Sequence, residues 1–234
     1  MVKFGKKLLL NVNPEWEGQY LEYRQLKKDL KKLTLRSKDP NDPLFSPKFE
    51  KKLDAEIEKI VLFFLTKQGE FAQRLATYRQ AQQSLQYASE AQTIASLADG
   101  YRKIGEELVH LLHYVELNAT GLRKILKKHD KNNKAHKITD NYISTRVDAN
   151  VSHLQQLYHD EGISAIIATI RVALKDLQSL QADLGLLPSP LAAPTPSYKS
   201  SSTTLVKMER SISETEPILN KISVARQRFV SLFH

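Results

Sequence analysis

Apolar residues at Phe49, Leu53, Ile57, Ile60, Phe64, Phe71, Leu75, Tyr78 and Leu85 recur at spacings of three, four and seven, the repeat that places side chains on one face of an α-helix. Ser46-Pro47, a capping residue followed by proline at the first helical position, opens this stretch, and the pattern predicts a helix to about residue 87. Ser89-x-x-Gln92 is a capping-box pattern. After it, Leu97, Tyr101, Ile104, Leu108, Leu111, Val115, Leu122 and Ile125 repeat the stripe, predicting a second helix to about residue 130. At 1.5 Å per residue each would span roughly 60 Å, and two such helices joined by a short turn must pack antiparallel to bury their stripes. Asn13-Pro14 gives the same start signal for a helix running through Trp16, Tyr20, Tyr23, Lys27 and Leu30 to about residue 35, preceded by a short helix over 2–11. That helix is the third partner the core needs, so the expectation is a three-helix bundle with one over-long hairpin.

Downstream the signals are shorter. Residues 37–47 have the composition of a loop, and 139–145 and 150–158 read as short helices. Ile163, Ile166, Ile167, Ile170, Leu174, Leu177 and Leu184 form another helical stripe. Residues 188–204, rich in Pro, Ser and Thr, read as a linker, and 205–232 as a final amphipathic helix. No period-two alternation predicts a strand, so the fold class is all-α. Proline supports this: its nine positions are 14, 40, 43, 47, 188, 190, 194, 196 and 217, leaving 48–187 free of it.

Composition removes several kinds of chemistry. With no cysteine there is no disulfide framework, thiolate nucleophile or Cys-ligated metal, and the chain suits a reducing compartment. The longest apolar run, Ile60 to Leu65, is too short to span a bilayer, and no signal-peptide core follows Lys3, Lys6 and Lys7. The expectation is a soluble protein, in the cytosol or on the cytosolic face of a membrane. The seven histidines include His110-x-x-His113 on one helix face, but no HExxH, Gly-rich phosphate loop or Gly-x-Ser-x-Gly elbow occurs, so binding rather than catalysis is expected, with no cofactor.

Charge changes the picture most. The net charge of +9 is focused: residues 1–36 carry +5 and residues 121–137 carry +6, leaving −2 for everything else. Lys124, Lys127, Lys128 and Lys131 fall at i, i+3, i+4 and i+7 on one helix face, while Leu122, Ile125 and Leu126 turn toward the core. Like charges so placed cost helix stability and need full solvation or an anionic partner. Tyr23 and Lys27 lie one helical turn apart with Lys31 a turn further, a phenol donor and ammonium groups aligned as ligands of phosphate would be.

Three blocks carry a family resemblance: Met1-Val2-Lys3-Phe4-Gly5-Lys6; Pro14-Glu15-Trp16 with Tyr20-x-x-Tyr23-x-x-x-Lys27-Lys28; and Arg123-Lys124-Ile125-Leu126-Lys127-Lys128-His129-Asp130-Lys131. Over about residues 1–145 the chain resembles the SPX domain. A weaker likeness continues: Ser152 to Tyr158 with Gly162 to Ile167 is similar to the stretch following the SPX domain in vacuolar phosphate transporters that join it to a major-facilitator unit. The resemblance implies an SPX-like helical bundle, its N-terminal helical hairpin packed on two long antiparallel helices, with further C-terminal helices. The division it suggests is 1–145 as SPX domain, 146–187 as helical extension, 188–204 as linker and 205–234 as C-terminal helix. It implies a site for inositol polyphosphates and pyrophosphates, with Tyr23, Lys27 and Lys131 as inner cluster, Lys124, Lys127 and Lys128 as surrounding surface, and Lys3 and Lys6 closing it from the N-terminus. Val2 is inserted relative to the start of many members, and His129 stands where an aromatic residue is common. The implied role is a sensor in phosphate homeostasis, acting through a signalling partner or an attached transporter domain. Phosphoinositide or nucleic-acid binding are the rivals a basic helical protein raises. No zinc-finger or RNP-type motif supports the second, and two compact clusters suit a small polyanion better than a tract.

Overall fold

A computed structural model describes residues 4–36, 45–85, 91–133, 137–139, 141–142, 161–184 and 215–231. Every described element is helical: α1 (Phe4–Asn11), a 3₁₀ helix (Pro14–Gln19), α2 (Tyr23–Arg36), α3 (Phe45–Gln83), α4 (Ala91–Asn132), α5 (Glu161–Asp183) and α6 (Thr215–Ser231). The expected linker over 188–204 and the short helix over 150–158 lie outside the described residues. The helix expected from 205 is described only from Thr215, and the first long helix ends at Gln83 rather than near 87.

The chain forms two compact units, and each takes one part of the long helices. One comprises Met1–Lys67, His110–Asp160 and Gln227–His234; the other comprises Gln68–Val109 and Glu161–Arg226. In the first, α2, α3 and α4 make the expected three-helix core. Phe49, Leu53, Val61 and Phe64 of α3 and Leu111, Tyr114, Val115 and Ile125 of α4 lie in this core, all at most 1% exposed. In the second, the stretch of hairpin the sequence left overhanging is clothed by the downstream helices. Phe71, Leu75, Tyr101 and Ile104 share a core with Ile163, Ile170, Leu174 and Leu177 of α5 and Ile222 of α6. Gly105 permits the approach of α6, since a Cβ there would stand 3.2 Å from both Ile218 and Ile222. Leu184, predicted to close the α5 stripe, is 38% exposed, one residue past the end of the helix.

The single helix predicted from Pro14 to about 35 is in fact two. Asn13 caps as expected, its Oδ1 accepting the Glu15 N–H at 3.1 Å, but it caps a 3₁₀ turn, and Tyr20 is extended. The reason lies in α4. The buried Asn118 accepts the Leu21 N–H at 2.7 Å, and the Tyr114 hydroxyl donates to the Gln19 carbonyl at 2.9 Å. Backbone groups that a continuous helix would satisfy internally are taken by side chains about a hundred residues later, so the helix restarts at Tyr23.

Candidate anion-binding face

Two polar contacts fix how α2 and α4 lie together. Asn118 holds the Leu21 N–H, and Asn132 donates to Thr34 Oγ1 at 3.5 Å, separations of 97 and 98 residues, so the helices run parallel in constant register. That register sets Tyr23 level with Thr120 and Gly121, Lys27 level with Lys124 and Ile125, and Lys31 level with Lys128 and His129. Helix α3 runs antiparallel on another side of α2, where Glu56 accepts the Glu22 N–H and Lys52 pairs with Asp29 at 2.8 Å.

The sequence places four lysines on one face of α4, and the structure distinguishes them. Asn118, Gly121 and Asn132 define the stripe that meets α2, and at 100° per residue Lys128 lies nearest it, with Lys124, Lys131 and Lys127 successively farther round on the same side. Lys128 is correspondingly half-buried while Lys124, Lys127 and Lys131 are exposed. The register therefore sets Lys27 level with Lys124, and Lys128 about one helical turn farther along, level with Lys31. Lys131, which the resemblance assigns to the inner cluster, stands level with Leu33 and Thr34, about 10 Å farther along the helix axis.

Helix α1 crosses this groove at its upper end. The Phe4 ring packs edge-on against Tyr23 with centroids 5.0 Å apart, and the Lys124 ammonium lies 5.2 Å from the same ring. Gly121 makes room beneath: a Cβ there would come within 2.8 Å of Leu21 Cδ2 and 3.7 Å of Phe4. Phe4 is thus the hinge pin joining α1, α2 and α4. The sequence contained it in the first block of the resemblance, but an isolated phenylalanine carries no sign of its partners. Lys6 is exposed on α1, and Lys3 lies outside the described residues. Replacing Phe4 by Ala removes the contact with Tyr23, and we expect amide exchange across residues 4–11 to accelerate at least tenfold while that of α3 is unchanged. Unaltered exchange would show that α1 is held by something else.

Some lysines of the bundle are paired and others are not. Lys52 and Lys59 of α3 are neutralised by Asp29 and Glu56. Among the described residues, none of Lys6, Lys27, Lys31, Lys124, Lys127, Lys128 and Lys131 enters an ion pair. Burial raises the Tyr23 phenol above its ordinary pKa, so it stays a neutral hydrogen-bond donor at the head of the lysine row. Behind the row, Asp130 accepts the N–H groups of Ile138 at 2.8 Å and Thr139 at 3.2 Å, and the Tyr142 hydroxyl reaches Asp54, which fastens the chain after α4 to α3. No group of three or more His, Asp or Glu among the described residues is placed to hold a metal ion.

His129 occupies the core side of the same turn. It is fully buried, stacked on Phe49 with centroids 5.2 Å apart. Burial holds its pKa below the ordinary 6.5 despite contact with Asp130. The folded chain therefore binds this proton less readily than the unfolded chain, and its contribution to stability, complete above pH 6.5, is lost as pH falls. In His129→Phe, which keeps the stacked ring, we expect the decline in urea midpoint as pH falls below 6.5 to be reduced. An unchanged pH profile would exclude His129 as its source.

An all-helical bundle with a lysine-lined groove between two parallel helices is the class of protein these features define. Comparison with known proteins gives the family. The SPX domain family matches residues 2–48 and 77–146, and the chain belongs to it. An SPX domain-containing membrane protein of Oryza sativa subsp. japonica is 39% identical over 183 residues, 77% of this chain and 26% of its own length. One from Arabidopsis thaliana is 38% identical over 183 residues, with the same two shares. The chain thus spans about a quarter of the length of these curated relatives. The SPX domain of Chaetomium thermophilum glycerophosphodiester phosphodiesterase 1, solved in complex with inositol hexakisphosphate, superposes with a TM-score of 0.60 at 26% identity, covering 76% of this chain and 99% of that one. No helix among the described residues is long and apolar enough to cross a membrane.

Proposed function

We propose that this chain is an inositol polyphosphate and pyrophosphate sensor acting in cellular phosphate homeostasis, and that the groove between α2 and α4 is its ligand site. The observation that carries this is a set of lysines from two helices held in register, Lys27 level with Lys124 and Lys31 level with Lys128, none of them in an ion pair among the described residues. A ring bearing several phosphates meets such a groove with many convergent charges at once, and flexible lysines accommodate isomers that differ in one phosphate. Tyr23, Lys27, Lys124 and Lys128 form the centre of the proposed site, Lys131 and Lys127 its outer edge, and Lys6 and Lys3 its cover from α1. The Chaetomium relative's complex with inositol hexakisphosphate supports the ligand class.

A second reading follows from the plant relatives, which are called membrane proteins and of which this chain matches 26%. It makes the chain equivalent to the regulatory head of a vacuolar phosphate transporter, with the ligand signal passed to an attached or separate partner.

Titration calorimetry of the full chain with inositol hexakisphosphate tests the ligand, with phosphoinositide vesicles and duplex DNA as competitors. Saturable binding at one site that neither competitor displaces is expected. Absence of binding, or loss of bound ligand to DNA or vesicles at equal phosphate concentration, would overturn the assignment.

A further inference from the structure

The unit formed by Gln68–Val109 and Glu161–Arg226 contains a cavity of about 490 Å³ that the lysine groove does not use. Its walls differ in chemistry. On α3, Arg79, Gln82 and Gln83 fall at i, i+3 and i+4 and present a guanidinium and two amides. The Tyr101 hydroxyl of α4 donates to Gln82 Oε1 at 3.1 Å, which engages one lone pair of the amide oxygen and orients the side chain, with both amide N–H groups still to donate. On α5, Thr169, Val172, Ala173 and Asp176 fall at i, i+3, i+4 and i+7, giving an apolar floor with a carboxylate at one end. One wall therefore offers donors and a positive charge, and the other a negative charge beside hydrocarbon.

Arg79 and Asp176 are both exposed, and neither enters an ion pair or hydrogen bond with a described residue, although other opposite charges nearby do, as Arg74 pairs with Glu107 at 2.7 Å. Both face Tyr101, whose phenol is raised chiefly by burial, lowered by Arg79 and raised by Asp176. A purely anionic guest would satisfy Arg79 and be repelled by Asp176, and a purely cationic guest the reverse. A molecule carrying both charges satisfies both.

We propose that this cavity binds a compact zwitterion, its anionic group against Arg79 and the Gln82 amide, its ammonium against Asp176, and its carbon chain over Val172 and Ala173. The volume falls within the usual range of small-ligand sites. Two sources share this chemistry, an α-amino acid and a phosphoethanolamine group, and they differ in the distance between charges.

The test uses the full chain with isotope-edited NMR, reading the side-chain amides of Gln82 and Gln83 and the backbone amide of Thr169. The probes are leucine, O-phosphoethanolamine, inorganic phosphate and ethylammonium. Saturable shifts are expected with leucine or O-phosphoethanolamine, whichever matches the span, and at least tenfold weaker response to phosphate or ethylammonium alone. Arg79→Gln and Asp176→Asn, both on exposed helical positions and checked for unchanged helical content, should each weaken the zwitterion at least tenfold. Exchanging the two charges in Arg79→Asp/Asp176→Arg should recover part of the affinity with the ligand reversed. No saturable shift with either zwitterion, equal binding of a single-charge probe, or indifference to both single substitutions would overturn the proposal.

Discussion

Lys27→Glu and Lys128→Glu are each expected to weaken binding of inositol hexakisphosphate by about a hundredfold or more, the scale on which losing one member of a close, hydrogen-bonded charge pair acts (roughly 3 kcal/mol). Reversal does more than delete an attraction, because the new carboxylate repels the ligand from a groove whose other cations remain. Lys131→Glu, about 10 Å along the axis from the level of Lys27, should lose less, nearer tenfold. Lys52→Glu is the matching control: it also changes charge on the bundle, but Lys52 is already paired with Asp29 on α3 and should leave affinity within about twofold. Calorimetry at fixed ionic strength, with circular dichroism to verify folding, separates these outcomes. Equal losses at Lys27, Lys128 and Lys52 would mean that the ligand senses net charge and not the groove.

The second large effect concerns stability. Asn118→Leu keeps the branched shape of a 3%-exposed side chain, though its methyl groups are bulkier, and removes the acceptor for the Leu21 N–H and the donor to the Tyr114 carbonyl at 2.8 Å. A buried N–H left without a partner costs about 1–3 kcal/mol. Because the bond also sets the register of α2 against α4, the substitution should loosen the groove itself. The expectation is a lowered urea midpoint with amide exchange at Leu21 accelerated ahead of that in α3. Unchanged stability would mean that Leu21 finds another acceptor and that the register does not depend on Asn118.

The long helices were readable in the sequence because their stripes are local and repeated. Phe49, Leu53, Ile57, Leu108, Leu111 and Val115 are all at most 5% exposed, as their spacing requires. The stripe of α5 was equally plain. Its partner was not, since periodicity states that a face is buried and not against what, and the overhang of the hairpin found its cover only in the structure. The break before α2 was hidden for the same reason. Asn13-Pro14 is the same signal for a 3₁₀ turn and for an α-helix, and the deciding group, Asn118, sits 97 residues from the bond it makes. In the groove, the lysine face of α4 was legible from spacing alone, whereas the ranking of Lys128 before Lys131 needed the position of α2. Tyr114 shows the limit most clearly. Its ring meets Trp16, Tyr20 and Phe63, and its hydroxyl binds Gln19, yet in sequence it is one more aromatic residue among apolar ones.

The separation of 97 or 98 residues between α2 and its partners on α4 also bears on how the chain is made. At about 5–20 residues per second, α2 leaves the ribosome roughly 5–20 seconds before the segment that receives it. Closing a loop of that length carries an entropic cost of about 4 kcal/mol, so the pairing forms after more local contacts rather than before them. During that interval α2 lacks the packing that α4 supplies, and Lys27, Lys28, Lys31 and Lys32 are the charges it presents to water. The same positive charges that make a polyanion site in the finished protein would then oppose self-association of the nascent one.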